Sequence, residues 1–289
     1  MPRVRIMLTR SEILCAVLLP AVLSAAIALL GRWRGWRWAM PLAVGVGFVA
    51  AYATQRVPRL PPSDGTDWLF WLAGPLTALG VVDARYGGRW GWALGASAGL
   101  VAMVLLMPLS ASVDAAMIGM TAAGLAVTGA VLALVAEVAE RRVGPGWTIG
   151  GFCIVLGAAG VVVFSSNLRT VGIYGLAAAA AVGPVAAVAG RTMLAARGVA
   201  VVAVPLLAGL LVAGHFYPDP GATWAQAAVL LAAPALLLAG AFLPVRRAWV
   251  RGTIALAAVA IAAAAVAGPA ALAAKRAAES AGPYEAMYR

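Results

Sequence analysis

The chain has 289 residues, 64% of them hydrophobic and only 11% charged, with a mean hydropathy of +0.96. A soluble domain carries about 45–50% apolar and about 25% charged residues, so the solvent for most of this chain is lipid and not water. The net charge of +11 would suit a nucleic-acid binder, but the arginines lie in short connectors between apolar runs, where they orient a membrane protein; nucleic acid is set aside as a partner, and membrane lipids take its place.

A helix crosses a bilayer core with about 20 apolar residues. Charged and Pro/Gly clusters divide the chain into ten such runs, approximately 11–31, 38–55, 68–83, 90–110, 114–136, 147–167, 171–190, 198–216, 223–243 and 252–272. The expected fold class is all-α, a polytopic transmembrane bundle of about ten helices. It forms a single membrane domain with a short polar tail over 273–289. The second and third runs are short, which leaves nine or eight helices as the alternative.

The first run has a basic lead and the small residues VLSAA, as a signal peptide would, but it stays apolar to Leu30, so an uncleaved anchor is expected. Thr9 and Glu12 ahead of it have capping-box spacing. Before the third run, PPSDGTDWLFW places Asp64 and Asp67 three residues apart. A carboxylate at a helix start accepts orphan backbone N–H groups and meets the positive end of the dipole. Asp114 and Asp219 precede the fifth and ninth runs in the same way, and capping is the simpler reading of all four. The functional alternative gathers these aspartates on the outer face, where they attract a cation or a basic substrate; Asp64, Asp67 and Asp219 with His215 and Tyr217 form the candidate outer-face cluster, and His215, Tyr217 and Asp219 are the first suspects for any catalysis. The Asp64–Asp67 spacing lacks the oxygen-ligand run of a calcium loop.

In the fourth run Gly91, Gly95 and Gly99 form a small-residue stripe for close helix packing, with a homo-oligomer or membrane-complex seam as the alternative. At the end of the fifth, Glu137 and Arg141 are placed for an i,i+4 pair. Cys15 and Cys153 fall in separate apolar runs and read as core thiols, not as a disulfide or metal pair. Pro20, Pro75, Pro184, Pro205 and Pro234 lie inside runs, where each frees a backbone carbonyl. Broken helices mark binding paths in transporters, so Pro75, Thr77, Pro184, Pro205 and Pro234 are the candidate helix-break path. The other mid-run polar groups, Ser24, Ser97, Thr121, Thr128 and Gln226, make any central cavity neutral and weakly polar.

Loops 32–37, 85–89, 141–142, 191–197 and 246–251 hold twelve arginines, against Arg56, Arg59 and Arg169 in the internal loops of the opposite side. That excess makes the former side cytoplasmic, although the basic termini fall on the other. Ten tryptophans sit near run boundaries, where ring edges meet headgroups. In length and helix count alone the chain resembles the drug/metabolite transporter superfamily. That resemblance implies two inverted five-helix repeats with cytoplasmic termini, whereas the loop charges here give the opposite orientation.

No nucleotide-binding, metalloprotease or nucleophile-elbow motif is present, so no catalytic residue, cofactor or metal is assigned and no enzyme is expected. The expectation is a multi-pass protein of a bacterial cytoplasmic membrane, permease-like, with a neutral path. A non-catalytic membrane subunit or scaffold is the first alternative, and a lipid-modifying enzyme built on the His215/Asp219 and Asp64/Asp67 loops the second.

Overall fold

Inside hydrocarbon a backbone N–H or C=O has only the backbone itself to bond, and an apolar run therefore closes into a helix. The computed structural model describes residues 10–56, 62, 67–86, 96–166, 168–190, 196–217, 221–245 and 247–280, and among them every regular element is helical. The helices are α1 (Arg10–Arg34), α2 (Ala39–Gln55), α3 (Asp67–Tyr86), α4 (Ser97–Leu106), α5 (Ala115–Arg142), α6 (Pro145–Ser165), α7 (Arg169–Ala189), α8 (Ala196–Phe216), α9 (Trp224–Phe242) and α10 (Ala248–Ser280). A 3-10 turn, Met107–Leu109, extends α4, and another, Ala233–Leu236, interrupts α9 at Pro234. Among the described residues, seven of these ten (α1, α5, α6, α7, α8, α9 and α10) are long and apolar enough to cross a membrane. The shorter α2 and α4, and α3 with Asp67, Asp83 and Arg85, complete the set.

Two helix ends run furthest past the sequence expectation. The fifth helix runs on through Glu137–Arg142, and α10 continues to Ser280 instead of giving way at 272 to a polar tail. The physical reason is the same in both: AEVAERR and LAAKRAAES consist of strong helix formers with no breaker. Of the glycine stripe, Gly91 and Gly95 lie outside the described residues. Gly99 packs within the chain, since a Cβ there would meet Ala122 O at 2.5 Å and Ala126 Cβ at 2.7 Å.

The centre of the bundle is α8. Of its apolar stretch Gly198–Phe216, 89% is buried, and α2, α3, α4, α5, α6 and α7 all pack against it. Lipid tails are as apolar as leucine, so helices associate there through close packing and not through exclusion of water. Glycines supply that closeness: Gly80 of α3 would put a Cβ 2.6 Å from Gly198 O of α8, and Gly160 of α6 would put one 2.8 Å from Gly172 O of α7. The outer helices α1, α5 and α10 turn Val22, Leu29, Met120, Val127, Ile261 and Leu272 outward. In water this would be a large apolar patch; in a bilayer it is the ordinary surface.

Contacts between helix ends fix the up-and-down order. On one end, Arg32 Nη1 donates to Val188 O at 3.2 Å, Ala196 N donates to Glu140 Oε1 at 2.9 Å, and Trp147 packs on Gly252. On the other, Tyr52 meets Asp67 and Tyr174, and Tyr217 reaches Leu105. The first end is side B, which carries most of the arginines, and the second is side A.

Candidate functional site

On side A, α2 and α3 hold a buried ionic cluster. Tyr52, in the last turn of α2, and Arg56, the extended residue just beyond the helix, both address Asp67, the first residue of α3. The Tyr52 hydroxyl donates to Asp67 Oδ1 at 2.5 Å, and Arg56 Nη1 lies 3.3 Å from the same oxygen. Asp67 is 1% exposed and Arg56 33%. A carboxylate buried so deeply is tolerated because it is paired, hydrogen-bonded and set at the positive end of a helix. Aromatic rings seal it: Tyr52 stacks on Tyr174 at 4.6 Å and leans on Phe70 at 4.9 Å, and Phe48 meets Tyr174 edge-on at 6.5 Å. Asp67 therefore acts as the fixed centre of a tertiary contact and not as a simple helix cap. Asp114 does cap α5, accepting from Ala116 N at 3.3 Å.

The remaining residues of the expected outer-face cluster serve other partners. Asp64 and Asp219 lie outside the described residues. His215 Nδ1 is 2.6 Å from Ala222 O; a carbonyl only accepts, so Nδ1 carries the hydrogen. Its ring rests against Trp224 at 4.1 Å and Phe216 at 4.8 Å. The Tyr217 hydroxyl donates to Leu105 O at 2.8 Å. His215 and Tyr217 thus tie the α8–α9 connection and the end of α4, whereas Asp67 ties α2 to α3.

The polar groups expected along a central path are mostly occupied by nearby carbonyls. Ser24 donates to Ala43 O at 2.7 Å across the α1–α2 seam, Thr77 to Ala73 O at 2.6 Å, and Thr128 to Gly124 O at 2.8 Å. Gln226 forms a capping box with Thr223 at the start of α9. Pro75 faces outward, Pro184 is half-buried, and Pro205 and Pro234 are buried. Thr121 and Thr128 instead share a lateral groove of about 330 Å³ between α5 and α9, with Met120, Gly124, Trp224 and Leu231. Among the described residues no heavy atom would meet a Cβ on Gly124 within 4 Å, so the groove is open there because that side chain is missing. The broken part of α9, Ala233–Leu236, also packs against α5.

A second cleft, of about 430 Å³, opens on side B among Gly35, Trp36, Arg37, Trp38, Ala84 and Arg85. Elsewhere on that side Glu137 pairs with Arg141 at 2.5 Å, as the i,i+4 spacing predicts, and Glu140 is buried against the start of α8.

Sequence reasoning singled out Asp67, His215 and the threonines but missed Tyr52, Arg56 and Glu140 as partners. Their only local signals are an aromatic and a basic residue one turn apart at the end of α2, and an acid beside a pair already satisfied. No protein-family model matches the chain, and neither a curated protein nor a solved structure is similar to it at a significant level.

Proposed function

We propose that this multi-pass membrane protein is permease-like and takes up a small, uncharged, largely apolar molecule from within the bilayer through the α5–α9 groove. The observation that carries the reading is the groove itself: apolar walls, two threonines, no charged lining residue among the described residues, and a helix broken by Pro234 along one side. Ligand sites are commonly apolar clefts of about 300–1,000 Å³ with a few polar groups that fix orientation, and a 3-10 segment in a membrane helix is a place where two helical halves can shift. The reading involves no covalent step and no cofactor. The arginine excess supports an orientation with side B toward the cytoplasm.

The test uses purified full-length protein in proteoliposomes and the neutral lipophilic dye Nile red. Wild type should accelerate dye exchange between vesicles and external acceptor membranes, and Gly124→Leu, which fills the groove, should abolish the acceleration while leaving the melting temperature close to wild type. Equal exchange with wild type, with Gly124→Leu and with empty vesicles would refute the reading.

A second reading, a non-catalytic membrane subunit, is favoured by one observation: the interior around α8 is closed by glycine contacts, and the wide apolar faces of α1 and α10 remain free to meet another protein. Cross-linking in native membranes that yields a reproducible heteromeric band would support it over transport.

A further inference from the structure

We infer that the side-B cleft between the α1–α2 connection and the end of α3 is a binding site for the phosphate headgroup of an anionic phospholipid.

The connection is tight and rigid. Gly35 adopts φ +70, which an L side chain rarely takes. Around it the chain reverses through two backbone bonds, Trp36 N to Gly31 O at 2.7 Å and Gly35 N to Arg32 O at 3.2 Å. This pairing ends a helix by satisfying its last carbonyls, and it presents four residues, 35–38, as one wall of the cleft. Trp36 and Trp38 stack at 5.0 Å with their planes 20° apart, and the Arg34 guanidinium lies 5.2 Å from the Trp33 ring and 5.8 Å from that of Trp36. Ala84 and Arg85 of α3 supply the opposite wall.

Three properties select the ligand. The first is charge: Arg37 and Arg85 line the cleft, both exposed, with Arg34 beside them. Asp83 is the acid nearest in sequence, but it is buried, two residues before Arg85. Guanidinium forks match phosphate oxygens with two parallel bonds, which a single point charge cannot do. The second is depth. Indole rings settle where hydrocarbon gives way to headgroups, and the stacked pair fixes the cleft at that level. The third is continuity with lipid. Leu29 and Leu30 on α1 and Val82 on α3 are exposed on the helices that descend from the cleft, so an acyl chain attached to the phosphate has apolar surface to follow. A free phosphate ion gains nothing from that surface or from the indoles. Basic pockets at the cytoplasmic ends of membrane helices bind anionic headgroups by the same combination.

The experiment compares lipid retention by the full chain, purified in neutral detergent and measured by native mass spectrometry after addition of phosphatidylglycerol, phosphatidylcholine or inorganic phosphate. Wild type should retain phosphatidylglycerol over phosphatidylcholine by about tenfold, what one strong charge-assisted contact supplies. The double variant Arg37→Gln/Arg85→Gln should lose that preference, whereas Arg141→Gln/Arg142→Gln, on the same side but away from the cleft, should keep it. Both pairs are exposed, and equal melting temperatures without lipid should confirm that the folds are intact. Equal retention of the two lipids by wild type, or an unchanged preference in the cleft variant, would overturn the assignment. So would competition by millimolar inorganic phosphate as effective as that by phosphatidylglycerol, which would assign the cleft to a free anion.

Discussion

A single carboxylate, Asp67, joins three parts of side A. Its oxygen receives the Tyr52 hydroxyl and faces Arg56, while the Tyr52 ring carries the contact on to Tyr174 of α7. Removing the acid leaves a buried hydroxyl and a guanidinium without their shared acceptor, so Asp67→Ala should destabilise the protein by about 3 kcal/mol; the value sits at the low end for a buried pair because water screens the third of Arg56 that is exposed. Tyr52→Phe keeps both ring contacts and loses one hydrogen bond, about 1–2 kcal/mol. Thermal unfolding in detergent should therefore rank wild type above Tyr52→Phe and Tyr52→Phe above Asp67→Ala; the reverse order of the two variants would mean that stacking, and not the ion pair, holds this corner. None of this was visible in PPSDGTDWLFW alone. A carboxylate at the first position of a helix satisfies local capping rules whatever it touches in space, and its partners come from the preceding helix. The pairs closed within one helical turn, Glu137–Arg141 and the Asp114 cap, were legible because their geometry is local. Thr77 and Ser24 looked like path-lining groups because a sequence shows a hydroxyl but not the carbonyl that consumes it.

Among the helices, glycine decides which pairs touch backbone to backbone. Gly80 of α3 and Gly198 of α8 face one another so closely that a Cβ on Gly198 would stand 2.7 Å from Gly80 O. Gly74, on the same helix as Gly80, meets nothing within 4 Å. The two positions give a matched comparison. Gly80→Val should cost about 1–3 kcal/mol or more, because the opposing atoms are backbone and cannot rotate away. Gly74→Val should fall within about 1 kcal/mol of wild type, the range of helix propensity alone. Melting temperatures of the two variants in one detergent test this, and equal losses would mean that the α3–α8 contact is looser than the structure shows. At this scale the sequence was most informative: each of the ten apolar runs contains one helix, since length and hydrophobicity are properties of a segment by itself. Where the ends differed most, at the ends of α5 and α10, apolarity stopped before helix propensity did. The break in α9 was foreshadowed by Pro234, but not the groove beside it, because a groove depends on which helix comes to lie opposite.

For the molecule as a whole, helix-end contacts sort the connectors into two sides, and the two sides differ in charge. Arg32 with Val188, Ala196 with Glu140 and Trp147 with Gly252 bring the starts or ends of α1, α5, α6, α7, α8 and α10 to side B. α10 begins there and packs along α6, so Lys275 and Arg276 near its far end project toward side A. Positive charge thus argues both ways: the side-B connectors favour a cytoplasmic side B, and the short basic tail opposes it. Connector charges should prevail, since they are many, lie close to the helix ends and act on every span, whereas the tail offers a few charges next to one helix. Cysteine labelling separates the outcomes. With Cys15 and Cys153 replaced by alanine, single cysteines at Ser112, Tyr86 and Ala277 report on the α4–α5 connection, the end of α3 and the end of α10. A membrane-impermeant maleimide added to intact cells should modify Ser112→Cys and Ala277→Cys and reach Tyr86→Cys only after lysis. Labelling of Tyr86→Cys alone would invert the protein and make its basic tail cytoplasmic. Labelling of Ser112→Cys without Ala277→Cys would mean that α10 lies along the membrane and does not cross it, and the lipid surface assigned to its exposed Ile261 and Leu272 would then be an interfacial one.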